Sequence, residues 1–144
     1  MYKSILVPLD GSTLAENILI EVEELALLLK ARLNLVCVSK AHALPGVDPS
    51  DAQVRVVNTA KEYLENIKAP LTAKNIEVEI HTPYGNPAEK VLGVSKLHDI
   101  ELIAMSTHGR SGIGRWLLGS VAEKIVRHSE VPVLLLRSGK LNEG

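Results

Sequence analysis

Apolar residues follow two alternating rhythms along the chain. Short runs that are apolar on both faces, or at every second position, alternate with longer segments where apolar residues recur every three to four positions. Residues 3–9 form the first such run and predict a buried strand. From Thr13 to Lys30, Leu14, Ile18, Val22, Leu25 and Leu29 mark one face of an amphipathic helix. Thr13 and Glu16 have capping-box spacing at its start, and Glu16, Glu21, Glu23 and Glu24 form a solvated face. Residues 33–38 predict a second strand with Cys37 inside it as a small buried hydrophobe. A turn-rich loop over 42–50 leads to a second helix at 51–69, with Val54, Val57, Leu64 and Ile67 on one side.

Residues 76–80, Ile-Glu-Val-Glu-Ile, alternate strictly, so one face of this third strand is wet and it belongs at a sheet edge. A third helix starts with Asn86 as cap, Pro87 at its first position and Glu89 close behind. A fourth strand at 100–105 runs into a glycine-punctuated loop at 106–118. A fourth helix at 120–128, a fifth strand from Val131 to Leu136 and a short tail complete the chain. This β-α-β-α-β-α-β-α-β series predicts an α/β fold: a single-domain open five-stranded parallel sheet, order 3-2-1-4-5, with helices on both faces. The domain is expected over 1–138 and the tail over 139–144. Ligands of such sheets lie beyond the strand C-termini where the order reverses, here between strands 1 and 4.

Composition agrees with this layout. Of 144 residues, 46% are hydrophobic and 23% charged, which suits a globular domain and excludes disorder for most of the chain. Phe is absent and the aromatics are three Tyr and one Trp, so the core must be aliphatic. A net charge of −1 argues against nucleic acid as a partner, which requires a basic excess. No apolar run is long enough for a membrane span, and no signal peptide precedes the first strand. One cysteine excludes an internal disulfide framework. These features suggest a cytoplasmic protein. His42, His81, His98 and His128 are scattered without metal-ligand spacing and read as ordinary surface or loop residues, so no metal site is expected.

The loop from Ser106 to Ser120 carries the candidate chemistry. It holds four glycines, several hydroxyls and two arginines, and ends where the fourth helix begins. Between Ser106 and His128, Arg110, Arg115, Lys124 and Arg127 outnumber Glu123, which suits a bound polyphosphate. Two bland readings stand beside this one. The glycines shape a long connection, and Ser120 caps its helix with Glu123 completing the box. Trp116 reads as packing, and His108 as a structural or ribose-contacting residue. Asp10 is either an Asx-turn residue or a ligand contact at the switch point. The fifth strand is apolar on both faces at an open edge, which invites pairing.

The opening Ile-Leu-Val-Pro-Leu-Asp-Gly-Ser, the Ser106-Thr-His-Gly-Arg-Ser-Gly loop, Leu-Leu-Gly-Ser-Val-Ala-Glu-Lys and the closing Val-Pro-Val-Leu-Leu-Leu resemble universal stress protein domains in order and spacing. The ATP-binding subgroup carries Gly-x-x-Gly, nine residues, then Gly-Ser/Thr. Gly109, Gly119 and Ser120 match it, while Ser106 stands at the first glycine. The resemblance implies a Rossmann-like adenine-nucleotide-binding fold. Pro8, Leu9 and Asp10 would lie beside adenosine, with Val38 against adenine. Ser106, Thr107, His108, Gly109, Arg110, Ser111 and Gly112 would wrap ribose and the first phosphates. Gly119, Ser120, Val121 and Ala122 would meet the distal phosphates, with Mg²⁺ held mainly by phosphate and water. The expected function is an ATP-binding regulator or sensor in stress adaptation, without efficient catalysis. The resemblance also implies a homodimer through Val131 to Leu136, and a further protein partner is left open. Slow ATP hydrolysis or autophosphorylation, and a nucleotide-free interaction module, are the alternatives.

Overall fold

The computed structural model describes residues 1–40, 45–46, 48–107 and 118–137. The expected tail at 139–144 lies outside them. The strands are β1 (Ser4–Pro8), β2 (Arg32–Val36), β3 (Val78–His81), β4 (Leu102–Ser106) and β5 (Val133–Leu136). The helices are α1 (Thr13–Glu16), α2 (Leu19–Leu29), α3 (Pro49–Thr72), α4 (Pro87–Leu97) and α5 (Ser120–His128). The five strands form one parallel sheet in the order β3-β2-β1-β4-β5, as the pattern predicts.

Alternate strand residues feed two separate aliphatic cores. Ile5, Val7, Leu33, Leu35, Leu102 and Ala104 point to one face, where Ile18, Val22, Ala26, Leu64 and Leu71 cover them. Leu6, Val36, Ile103 and Met105 point to the other, against Val91, Val94, Ala122 and Ile125. The strands of the middle are therefore apolar on both sides because helices cover both. β3 takes the edge, with Val78 buried and Glu77 and Glu79 exposed.

Several elements differ from the pattern. The expected helix 13–30 is broken after Glu16, with Asn17 capping α1 and Ile18 starting α2. Asn is a weak helix former. Ser12, rather than Thr13, caps α1, its hydroxyl accepting from Ala15 N at 3.1 Å. Glu16 and Glu23 are not simply solvated: Tyr63 Oη donates to Glu16 at 2.6 Å, and Lys74 pairs with Glu23 at 2.8 Å. Both contacts bind the first helical segments to α3 and its C-terminal turn. Burial and the Glu16 bond push the Tyr63 phenol well above its ordinary pKa.

The second helix is longer than 51–69. Asp48 caps it, Pro49 opens it, and it runs past Pro70 to Thr72. Leu71 is buried and anchors that last turn, while Thr72 Oγ1 donates to the carbonyl of Ala69 at 3.0 Å. Val54, expected on the buried side, is 57% exposed; Ala60, Leu64 and Leu71 are the buried positions. The strand bounds also differ from the apolar runs by one or two residues: β3, β4 and β5 each begin two residues later than expected, and β2 stops before Cys37.

Asn34 is the most deeply buried of the polar residues in the described strands, 2% exposed between Leu33 and Leu35. Its Nδ2 donates to Ser4 Oγ at 3.2 Å and its Oδ1 faces His81 Nε2 at 2.9 Å. Both ends of the amide are thus matched, as burial demands. His81 is half-buried, and desolvation followed by repulsion from His98 holds its pKa below the ordinary histidine value, with Glu79 opposing.

Two predictions follow from this polar group. Asn34→Ala leaves its partners unmatched and is expected to cost about 1–3 kcal/mol in denaturant unfolding. His81 protonates more readily in the unfolded chain, so its contribution is complete above about pH 6.5 and is lost as pH falls through the lower folded pKa. Thermal melts should therefore fall less steeply on acidification in His81→Gln than in the wild type. Equal slopes would show that His81 is not the titrating group.

Candidate functional site

The strand order reverses at β1, which has β2 on one side and β4 on the other. Chains leaving β1 and β4 therefore diverge to opposite faces, and a cleft opens beyond their C-terminal ends. Its volume is about 520 Å³, within the range of small-molecule sites.

One wall comes from the end of β1. Pro8, Leu9 and Asp10 line it, and Leu9 N donates to Val36 O at 2.8 Å, which holds this exit against β2. Asp10 is an Asx-turn residue at the cleft wall. Its Oδ1 accepts from the Ser12 amide at 2.9 Å and from the Ser12 hydroxyl, an Asx turn, while the residue also faces the cleft. Gly11 has φ of +84°, a conformation that glycine adopts without steric cost and that this tight exit requires. Val38 lines the cleft beyond the end of β2.

The opposite wall comes from β4 and α5. Ser106 is buried at the end of β4 and paired with Leu136 of β5. Positive φ occurs among the described non-glycine residues at Tyr2, Lys30, Asn75 and Asp99, so the serine in place of the family glycine carries no left-handed strain. Thr107 follows it; its amide donates to Leu136 O at 3.1 Å and its carbonyl accepts from Gly119 N at 3.0 Å. That pair of bonds seats the start of α5 against the end of the sheet. Thr107 itself is not part of the cleft lining.

Gly119, Ser120, Val121 and Ala122 all line the cleft. Gly119 is the N-cap of α5 and brings no side chain to the first amides, so the Ser120–Glu123 capping box is not formed. Ser120 is instead the first helical residue. The first amides of α5 have no partner within the helix, and the positive end of the helix dipole reinforces them. The expected site residues His108, Gly109, Arg110, Ser111 and Gly112 lie outside the described residues, as do Arg115 and Trp116.

The cleft also has contributors that the sequence reading passed over. Ala15, Val36, Pro87, Val91 and Met105 add apolar surface, and Lys40 adds a cation at its rim. Pro87 and Val91 belong to α4, whose first turn was read only as a helix start. Cys37 is half-buried, packed against the edge of the core and lining the cleft as well, because the chain has already left β2. Its place just after a strand C-terminus was the available signal.

A sole cysteine in this position gives a direct check on the geometry. A small thiol reagent should add one label to the folded protein at Cys37, read by mass spectrometry, without prior unfolding. A thiol that reacts only on denaturation would place Cys37 in the core.

Comparison with known proteins was made on this framework. The family model described as Universal stress protein family matches residues 1–137. A putative universal stress protein of Staphylococcus saprophyticus is 33% identical over 148 aligned positions, covering 99% of this chain and 87% of the relative. Among solved structures, hypothetical protein MJ0577, a structural-genomics test case for assigning biochemical function from structure, superposes with a TM-score of 0.86 at 29% identity. That match covers 96% of this chain and 98% of the other. A universal stress protein solved in complex with cAMP shares the fold, with a TM-score of 0.73 at 18% identity, covering 96% and 99%.

Proposed function

The chain belongs to the universal stress protein family, and from that premise we propose that it binds ATP, with Mg²⁺, in the cleft between β1 and β4. It would act as a nucleotide-dependent regulator or sensor; the family itself supports a stress-related role. The observation carrying the proposal is the start of α5 in the cleft wall, where the N-cap residue, Gly119, has no side chain to occupy the first amides. Backbone amides of Ser120, Val121 and Ala122 supply donors there, and the absence of a Cβ at Gly119 lets an anion come close. Apolar walls from Pro8, Leu9, Val38 and Met105 suit a purine ring. The cAMP complex of a protein with this fold supports an adenine nucleotide in such a cleft. The family resemblance assigns His108, Gly109, Arg110, Ser111 and Gly112 to ribose and phosphate.

Binding without efficient turnover is the favoured activity. Among the described lining residues Asp10 is the one carboxylate, and its Oδ1 is already taken by Ser12. Phosphoryl transfer needs an aligned base or nucleophile as well as charge clamps. Mg²⁺ in this setting would draw its ligands from phosphate oxygens and water, as that ion prefers. The proposal extends to a two-fold dimer through β5. This strand lies at the open edge, with Leu134 36% exposed and Val133, Leu135 and Leu136 half-buried. A second copy beside it would cover an edge that otherwise attracts pairing.

Freshly purified protein, denatured and extracted, should release ATP in near one-to-one amount, identified by chromatography and mass spectrometry. An empty extract, together with no heat on titration with Mg-ATP, would favour a nucleotide-free interaction module. Gly119→Val should weaken nucleotide binding by more than about tenfold, about 1.4 kcal/mol, with an unchanged circular dichroism spectrum. Unaltered affinity in that folded variant would remove the site as drawn. In sedimentation the wild type should run as a dimer and Leu134→Lys as a monomer; a monomeric wild type would overturn the interface.

A further inference from the structure

At the end of α4 remote from the residues that line the cleft, three side chains converge that are separated in the chain. Glu79, His81 and His98 each place one ligand atom within 4.8 Å of the others. Glu79 and His81 are two residues apart on β3 and so share a face of that edge strand. His98 caps the C-terminus of α4. The two imidazole rings lie side by side, with centroids 4.3 Å apart and planes at 44°.

We propose that Glu79, His81 and His98 bind one divalent transition-metal ion of the zinc class. Two imidazole nitrogens and one carboxylate, with a fourth position left to water, form a donor set that zinc adopts. The same set disfavours Mg²⁺ and Ca²⁺, which take oxygen ligands. Zinc–nitrogen bonds of about 2.0–2.1 Å in a tetrahedron require ligand atoms about 3.4 Å apart. Rotations of exposed or half-buried side chains close the observed set to that spacing. Glu79 and His98 are exposed, so an ion reaches them from solvent.

A second layer of contacts supports the assignment. Asn34, buried in the sheet, donates through Nδ2 to Ser4 Oγ and turns its Oδ1 toward His81 Nε2, 2.9 Å away. With the amide so oriented, Nε2 carries the proton and Nδ1 keeps the lone pair for an ion. Metal-bound histidines are held in this way, by an oxygen acceptor on the other ring nitrogen. Arg32 lies 3.6 Å from Glu79 Oε2 and also 3.4 Å from Glu77. A carboxylate has two oxygens, and Arg32 keeps Glu77 as a partner when Glu79 turns to a metal. The bound ion fastens β3 to the end of α4, the helix whose first turn lines the cleft through Pro87 and Val91.

Tag-free full-length protein, stripped with a chelator and free of nucleotide, is titrated with zinc chloride by calorimetry. One ion per chain is expected, with binding weakened at least about tenfold in His98→Ala and in Glu79→Gln. Both changes are at exposed positions, and circular dichroism checks that the variants are folded. His128→Ala, on α5 and outside the three-residue cluster, serves as the control and should bind as the wild type does. The thermal midpoint should rise with zinc but not with magnesium, and this rise should vanish in His98→Ala. No heat with zinc, or affinity equal to wild type in folded His98→Ala, overturns the site. A loss confined to His128→Ala overturns it equally.

Discussion

Strand β1 is hydrogen-bonded to parallel neighbours on both sides and buried on both faces. Ile5 and Val7 enter one core and Leu6 the other, each fully buried. A parallel strand in this position has no wet side, so each of its neighbours must return through a helical crossover. The crossover from β1 to β2 occupies one face and that from β3 to β4 the other. The strand order therefore reverses at β1, and the exits of β1 and β4 part to leave a cleft. The cleft is a consequence of how this one strand is satisfied.

The two edges of the sheet are protected in different ways. At β3, Glu77 and Glu79 alternate with buried Val78, and Arg32 of the neighbouring strand pairs with both carboxylates. Charges of this kind discourage edge-to-edge association. At β5 the side chains are apolar and only partly covered. One sheet thus has an edge that repels a partner and an edge that suits one. The buried amide of Asn34 in β2 faces the charged edge and hydrogen-bonds His81 there.

Much of the site was legible because a parallel α/β sheet confines ligands to the ends of particular strands. Pro8, Leu9, Asp10, Val38 and Ser106 were readable as strand ends, and Gly119 to Ala122 as a helix start. The apolar residues of α4 and the displaced Cys37 were not, because which helix face reaches a cleft depends on packing angle. The bland reading of Ser120 as a cap fails for a related reason. Gly119 already supplies the extended residue before the helix, its φ of −66° and ψ of 159° placing Ser120 inside the first turn.

Local periodicity determined the number of strands and their alternation with helical segments, the edge position of β3 and the aliphatic character of the core, since each depends on alternation within a short window. Helix continuity was less local. The break after Glu16 and the extension of α3 past Pro70 involve Tyr63 on another helix and the anchoring of Leu71 in the core. The convergence of Glu79 and His81 with His98 was decided by tertiary structure alone. Spacing along the chain carries no sign of it, because the parallel crossover brings the end of α4 back beside the strand it left.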